Sequence, residues 1–253
     1  MHLTEKQIER VIEIGQQAGA AILAIYDGPF NVTSKADESP LTDADRAAHR
    51  LIVDQLSALT PQWPVVSEES NDAEKALRLQ ADYYWLVDPL DGTREFVQRN
   101  GQFTVNIALI HQGQPLWGLV YVPVTGQTYW GGGAYGSQRQ DAQGVQTLHT
   151  RPAQPGERLQ VVGSRSHQNE ETRQWLAALG EHDLVAMGSS LKLCLVAEGS
   201  AHLYPRLGPT CEWDTAAAQA VVEGAGGRVE TLEGEPLRYS KESLLNPWFV
   251  VRA

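Results

Sequence analysis

The run Asp88-Pro89-Leu90-Asp91-Gly92-Thr93 brings two carboxylates, a backbone carbonyl and a hydroxyl into one short segment. Pro89 fixes the turn, and Gly92 permits a backbone conformation that a side chain would oppose. Asp88 and Asp91 are thereby placed on one side, with the Leu90 carbonyl facing the same point. Carboxylate and carbonyl oxygens are hard ligands of the kind magnesium takes. Asp88 also ends the apolar stretch Tyr83-Tyr84-Trp85-Leu86-Val87, where a charge is costly unless something neutralises it. Glu68 and Glu69 follow a second β-rich stretch, Trp63 to Ser67. Asp214 precedes Thr215-Ala216-Ala217 and is placed at the N-cap of a helix, beside a positive helix end that also suits a phosphate. Singly these are a turn, a solvated edge and a cap. Together they are acidic groups at the ends of elements that converge on one point.

The elements that must position them are legible from periodicity. Ile8, Val11, Ile12, Ala18, Ile22 and Ile25 recur at helical spacing across residues 4 to 26. Thr42 and Asp43 resemble a helix start, with Asp43 read as the cap, and Ala47, Leu51, Ile52, Gln55 and Leu56 carry that helix forward. Strands are expected over 103–110 and 116–122, joined through Gln112-Gly113-Gln114, with 128–130 continuing the sheet. Pro152 to Gly156 is the expected boundary, dividing an α+β part (1–152) from an α/β part (153–253). The second part reads as strand 159–163, helix 170–179, helix 190–198, strand 201–204 and helix 215–223.

Composition narrows the classes. A chain of 253 residues with a formal net charge of −11 and no lysine-arginine run is not expected to bind a nucleic acid polymer. Its acidity does not exclude an anionic substrate, because carboxylates loaded with divalent cations form a positive site. The two cysteines, Cys194 and Cys211, lack metal-type spacing and suggest a reducing compartment. No signal peptide or integral membrane segment is expected, so the cytoplasm is the expected location. Gly131-Gly132-Gly133-Ala134-Tyr135-Gly136 fits a dinucleotide-binding pattern, but polar residues follow it where a helix is required, so it reads as a hairpin turn. No Walker lysine, His-Glu-x-x-His or Gly-x-Ser-x-Gly anchors a kinase, zinc protease or serine hydrolase.

Glu68-Glu69, Asp88 to Thr93 and Trp213-Asp214-Thr215-Ala216-Ala217, in that order, resemble the inositol monophosphatase superfamily. Ser34 to Asp45, Glu95-Phe96 with Asn100-Gly101, Ser164-Arg165-Ser166-His167, Gly188-Ser189-Ser190-Leu191-Lys192 and Leu203-Tyr204-Pro205-Arg206 are similar to its 3'(2'),5'-bisphosphate nucleotidase branch. The resemblance runs from the first helix to Leu245-Asn246-Pro247. It implies a layered α/β/α/β/α sandwich of the inositol monophosphatase and sugar phosphatase type.

The resemblance also implies roles. Glu68, Asp88, Asp91, Asp214 and the Leu90 carbonyl would bind two or three Mg²⁺ ions, with Asp45 as an outer ligand. Asp37 and Thr93 would orient the attacking water. Glu68, Leu90, Asp91, Gly92, Thr93 and Asp214 would touch substrate. So would Ser189, with backbone amides of 188–190 receiving the phosphate that is not cleaved, together with Lys192, Arg206 and His167. The implied reaction removes the 3'-phosphate of adenosine 3',5'-bisphosphate, a by-product of sulfur assimilation, with its sulfated analogue as a second substrate. Lithium sensitivity is implied, as is at most a weak peripheral association with the cytoplasmic face of the inner membrane. An inositol or sugar phosphatase uses the same metal motifs, and a catalytically silent binding protein is the reading from another class.

Overall fold

The computed structural model describes residues 2–34, 40–164 and 169–253, so Asp37 and His167 lie outside the described residues. Helix α1 (Glu5–Tyr26) starts at Thr4, whose side chain and that of Gln7 cap each other's backbone amides. Strands β1 (Val32–Ser34) and β2 (Pro40–Thr42) form a small antiparallel ladder before α2 (Asp43–Leu59). The cap of α2 is Thr42 rather than Asp43, because its hydroxyl accepts from the amides of Ala44 and Asp45. Asp43 is exposed in the first turn and accepts from Asn31 instead.

Next come β3 (Val65–Ser67), α3 (Asp72–Ala76), β4 (Tyr83–Asp91), α4 (Thr93–Val97), β5 (Thr104–His111), β6 (Gln114–Val122), β7 (Gln127–Gly132), β8 (Gly136–Asp141) and β9 (Gly144–Thr147). Strands β3 to β9 make one seven-stranded sheet in sequence order, parallel only between β3 and β4. The glycine-rich run is the β7–β8 hairpin turn. The remainder is β10 (Leu159–Ser164), α5 (Glu170–Leu179), β11 (His182–Met187), α6 (Leu191–Ala197), β12 (Leu203–Arg206), α7 (Glu212–Gly224), β13 (Arg228–Thr231) and β14 (Phe249–Arg252). Its five strands form a second sheet in the order β11-β10-β12-β14-β13.

Alternation along β4 explains the layering, since successive side chains of a strand face opposite ways. Trp85 and Val87 face α1 and α2, joining Val11, Ile14, Ala18, Ile22, Ala44, Ala48, Ile52 and Leu56 in one core. The α2 face is thus turned by about one residue from the expected one, because Ala44 and Ala48 permit close approach. Tyr84 and Leu86 face the other way, into a core shared with α6, α7 and inward residues of the second sheet such as Val162, Phe249 and Val251. Outside that sheet, Val161, Leu203 and Val250 meet Leu176 of α5. The order is helices, sheet, helices, sheet, helix, as the layered α+β sandwich requires.

Helix α7 lies directly on β6. A Cβ at Gly118 would sit 2.1 Å from the Ala217 carbonyl oxygen, against backbone that cannot rotate away. Gly118→Ala is therefore expected to destabilise the protein by about 2–3 kcal/mol through overpacking. A lowered urea midpoint with an unchanged denaturant slope would register this. An unchanged midpoint would mean that α7 slides on the sheet.

Candidate active site

Strand β4 does not stop at Asp88. It continues irregularly to Asp91, with its register against β5 shifting between those two residues, because the Pro89 turn cannot keep the ladder. Within this bulge the Leu90 amide donates to Asp88 Oδ1 at 3.0 Å. Gly92 then adopts a left-handed conformation (φ 90°, ψ 44°) and leads into α4. The parallel neighbour β3 delivers the Glu68 amide to the Val87 carbonyl at 3.0 Å, so the two acidic segments meet at one sheet edge.

Asp214 arrives from the other half. Helix α7 begins at Glu212 with Cys211 as its cap, so Asp214 is not the N-cap but lies within the first turn. Its Oδ2 accepts from the Cys211 amide at 2.7 Å. One carboxylate oxygen each from Asp88, Asp91 and Asp214 lie within 4.8 Å of one another. The Glu68 carboxylate stands outside that cluster, yet its charge acts on Asp214. Burial, then the charges of Asp91 and Glu68, push the Asp214 carboxyl above the ordinary range. Clustered like charges on hard oxygen donors fit a divalent cation, which relieves their repulsion. Of the ligands expected from the sequence, the structure brings Asp88, Asp91 and Asp214 together and leaves the Glu68 carboxylate outside their cluster.

A hydrogen-bonded brace that sequence reasoning missed holds this cluster. Asp91 Oδ2 accepts from the Ser190 amide at 2.6 Å and lies 2.7 Å from Ser190 Oγ. The same hydroxyl lies 2.8 Å from the Asp214 carbonyl oxygen and accepts from Asn106 Nδ2 at 2.7 Å. Ser190 thereby ties an aspartate of the first sheet to the helix bearing the other. Asn106, a polar residue inside the apolar strand β5, was the one sequence signal of this brace. Removing such a support weakens metal binding by about 10–100-fold, and Ser190→Ala is expected to do so. Titrating the thermal midpoint with Mg²⁺ measures this, and an unchanged midpoint concentration would count against the brace.

Ser190 also changes the expected anion site. Of the amides at 188–190, that of Ser190 is taken by Asp91, and that of Gly188 donates to Gln102 Oε1 at 3.0 Å. These two of the three amides are committed to the protein rather than open to a phosphate. Charged side chains remain. Lys192 and Arg206 line one cleft of about 270 Å³ together with Asp91, Gly92, Thr93, Ser189 and Asp214. Lys192 is buried, donates to the Ser189 carbonyl at 2.6 Å and lies 5.7 Å from the Tyr204 ring centre. Burial lowers its ammonium to about 8, against the opposing pull of Asp91. Arg206 Nη2 donates to the Pro209 carbonyl at 2.5 Å, while its buried Nε has no hydrogen-bond partner among the described residues.

The Thr93 hydroxyl lies 3.3 Å from both Asp45 Oδ1 and the Leu90 carbonyl oxygen. Asp45 is buried, and its Oδ2 accepts from the amide and hydroxyl of Thr42. Its observed contacts make it a support for Thr93 and for the start of α2. Among the described residues, no helix is long and apolar enough to cross a membrane.

Comparison with known proteins agrees with this architecture. Residues 4–248 match the model of the inositol monophosphatase family. The chain is 50% identical over 248 residues to the 3'(2'),5'-bisphosphate nucleotidase CysQ of Escherichia coli K12, covering 96% of this chain and 98% of that one. The enzyme of the same name from Haemophilus influenzae is 34% identical over 251 residues, covering 98% and 93%. The crystal structure of CysQ from Bacteroides thetaiotaomicron superimposes with a TM-score of 0.86 at 41% identity, covering 98% of this chain and 97% of that one. With both its cores, its acidic cluster and almost its whole length accounted for, the chain belongs to the inositol monophosphatase family, a metal-dependent family.

Proposed function

We propose that this protein is a magnesium-dependent 3'(2'),5'-bisphosphate nucleotidase, hydrolysing adenosine 3',5'-bisphosphate to AMP and phosphate, and its sulfated analogue to adenosine 5'-phosphosulfate and phosphate. The observation that carries this reading is the composition of one cleft. Its floor is the Asp91–Asp214 cluster, and its wall carries the buried cation Lys192 and Arg206 with an unpartnered Nε. A substrate with two phosphates has one for each half. The naming of the relatives as bisphosphate nucleotidases supports the same choice.

In this reading Glu68, Asp88, Asp91, Asp214 and the Leu90 carbonyl hold two or three Mg²⁺ ions. When bound, these neutralise phosphoryl charge and lower the pKa of a coordinated water. The chain's own groups do the positioning. The Thr93 hydroxyl donates toward Asp45 and the Leu90 carbonyl, so its lone pairs can accept a hydrogen bond from water and aim that water at phosphorus. Asp37 is proposed to share this task, and His167 to contact the nucleotide. Ser189, Lys192 and Arg206 hold the phosphate that stays, the two cations supplying charged donors on the wall of the cleft. The first turn of α7 points its positive end at the same place.

The test is phosphate release from adenosine 3',5'-bisphosphate, inositol 1-phosphate and fructose 1,6-bisphosphate with Mg²⁺. The nucleotide is expected to be preferred in kcat/KM by about 10²-fold or more, the scale at which specific polar contacts discriminate. Preference for either sugar phosphate would replace this reading with the sugar-phosphatase one.

A further inference from the structure

Glu95 is a carboxylate that the assignments above leave without a task. It lies in the first turn of α4, directly after the metal-binding turn, and only 8% of it is exposed. Its stem is clamped from two sides. A Cβ at Gly188 would lie 2.7 Å from Glu95 Cγ, and a Cβ at Gly92 would lie 3.3 Å from Glu95 Oε2. The glycines at both positions make room for this side chain. Glu95 nevertheless lines the cleft beside Thr93, Lys192 and Asp214, and its charge is felt at Lys192.

A carboxylate is an acceptor without a proton to give, and when buried it needs donors. Among the described residues, no hydrogen bond or ion pair of the Glu95 side chain is present. Its neighbours fix its position, and its carboxylate faces the cleft, where a substrate group can take the place of solvent as its donor. A phosphate oxygen is excluded by charge. A hydroxyl is the neutral donor that fits, and the nearness of Oε2 to Gly92 places it beside the scissile phosphoester rather than at the far end of the substrate.

We propose that Glu95 is a specificity-determining residue that accepts a hydrogen bond from the hydroxyl vicinal to the cleaved phosphoester, which in a nucleoside 3'-phosphate is the ribose 2'-hydroxyl. The nucleotide form of this inference rests on the proposed function. The chemistry selected, a free hydroxyl next to a phosphate monoester, is carried by Glu95 itself. A site built to bind a substrate hydroxyl rejects the analogue that lacks it, because its acceptor then loses that donor when substrate closes it off from water.

The experiment compares adenosine 3',5'-bisphosphate with its 2'-deoxy analogue for the full-length protein and for Glu95→Gln and Glu95→Ala. The unaltered protein is expected to favour the ribose substrate in kcat/KM by about 10–100-fold, the scale of a hydrogen bond to a charged acceptor. That ratio should shrink in Glu95→Gln, which keeps the shape and a neutral acceptor, and approach unity in Glu95→Ala. A merely structural role would slow both substrates equally and keep the ratio, which would overturn the proposal. So would an unaltered protein that cleaves both analogues alike. Should Glu95→Ala fail to fold, the near-isosteric Glu95→Gln still reads the ratio. A protein that cleaves neither nucleotide but does cleave inositol 1-phosphate would refute the nucleotidase reading. The hydroxyl inference would then be read from the vicinal deoxy-inositol phosphate, with loss of discrimination in Glu95→Gln supporting it and equal ratios overturning it.

Discussion

Asp91→Asn is expected to lower kcat/KM by roughly 10³-fold or more, the scale of losing a charged group aimed at the transition state, while the fold survives. The two halves of this expectation come from different atoms. Asparagine keeps one oxygen, so the pins from Ser190 N, Ser190 Oγ and Asn106 Nδ2 onto Oδ2 can all be retained. What disappears is one negative charge from a cluster whose carboxylate oxygens lie within 4.8 Å. In the metal-free protein that charge repels Asp214 and Glu68, so losing it offsets part of the weakened hydrogen bonding. The metal-free thermal midpoint is thus expected to stay within about 3 °C of the unaltered protein, a change under about 1 kcal/mol for a chain of this size. Mg²⁺ should no longer raise it normally. Turnover within tenfold of the unaltered protein would remove Asp91 from the metal centre, and a collapsed midpoint would make its role structural.

The parts of this molecule that could be read from the chain are those with a repeated pattern or a special backbone. The α1 and α2 helices are written in apolar spacing, and the β7–β8 turn in glycine. The acidic turn from Asp88 to Thr93 is written in proline and glycine, which fix its geometry locally. Strands β11, β13 and β14 were not legible, because they are short and take their register from neighbours brought together only by folding. The same reason hid the tie between Ser190 and Asp91, which joins residues from the two sheets through one hydroxyl. Asp214 was recognisable as an acidic residue at a helix start but was misplaced as its cap. Nothing local says that α7 begins before Trp213, where Glu212 is buried against Arg78 and Lys241. Local chemistry predicts ligands, whereas tertiary contacts decide which of them are braced and which face substrate.

Removing metal should expose the internal repulsion of the site as a pH dependence of stability. The Asp214 carboxyl is raised by burial and by the charges of Asp91 and Glu68, so the folded state binds its proton more tightly than the unfolded chain does. The stability this confers is fully present below the ordinary carboxylate range and is lost as pH rises through the raised folded value. Lys192 works in the opposite sense. Burial lowers it to about 8 from 10.5, so the folded state holds its proton less tightly. Its contribution is present above the unfolded value and is lost as pH falls toward about 8. Both penalties coincide at mildly alkaline pH, where the metal-free protein is expected to reach its lowest thermal midpoint within the range pH 5–10. Bound Mg²⁺ cancels the carboxylate contribution, because it needs Asp214 ionised, and it leaves the lysine contribution in place. At a hundredfold excess over its dissociation constant it should contribute about 2.7 kcal/mol, raising the midpoint by roughly 5–10 °C. That gain should shrink toward pH 5, where metal must displace a proton. Thermal melts across pH with chelator and with Mg²⁺ decide the matter. A gain that is equal at pH 5 and pH 8, or a metal-free midpoint that is highest near pH 8, would mean that the three aspartates are not held together by the ion they are proposed to bind.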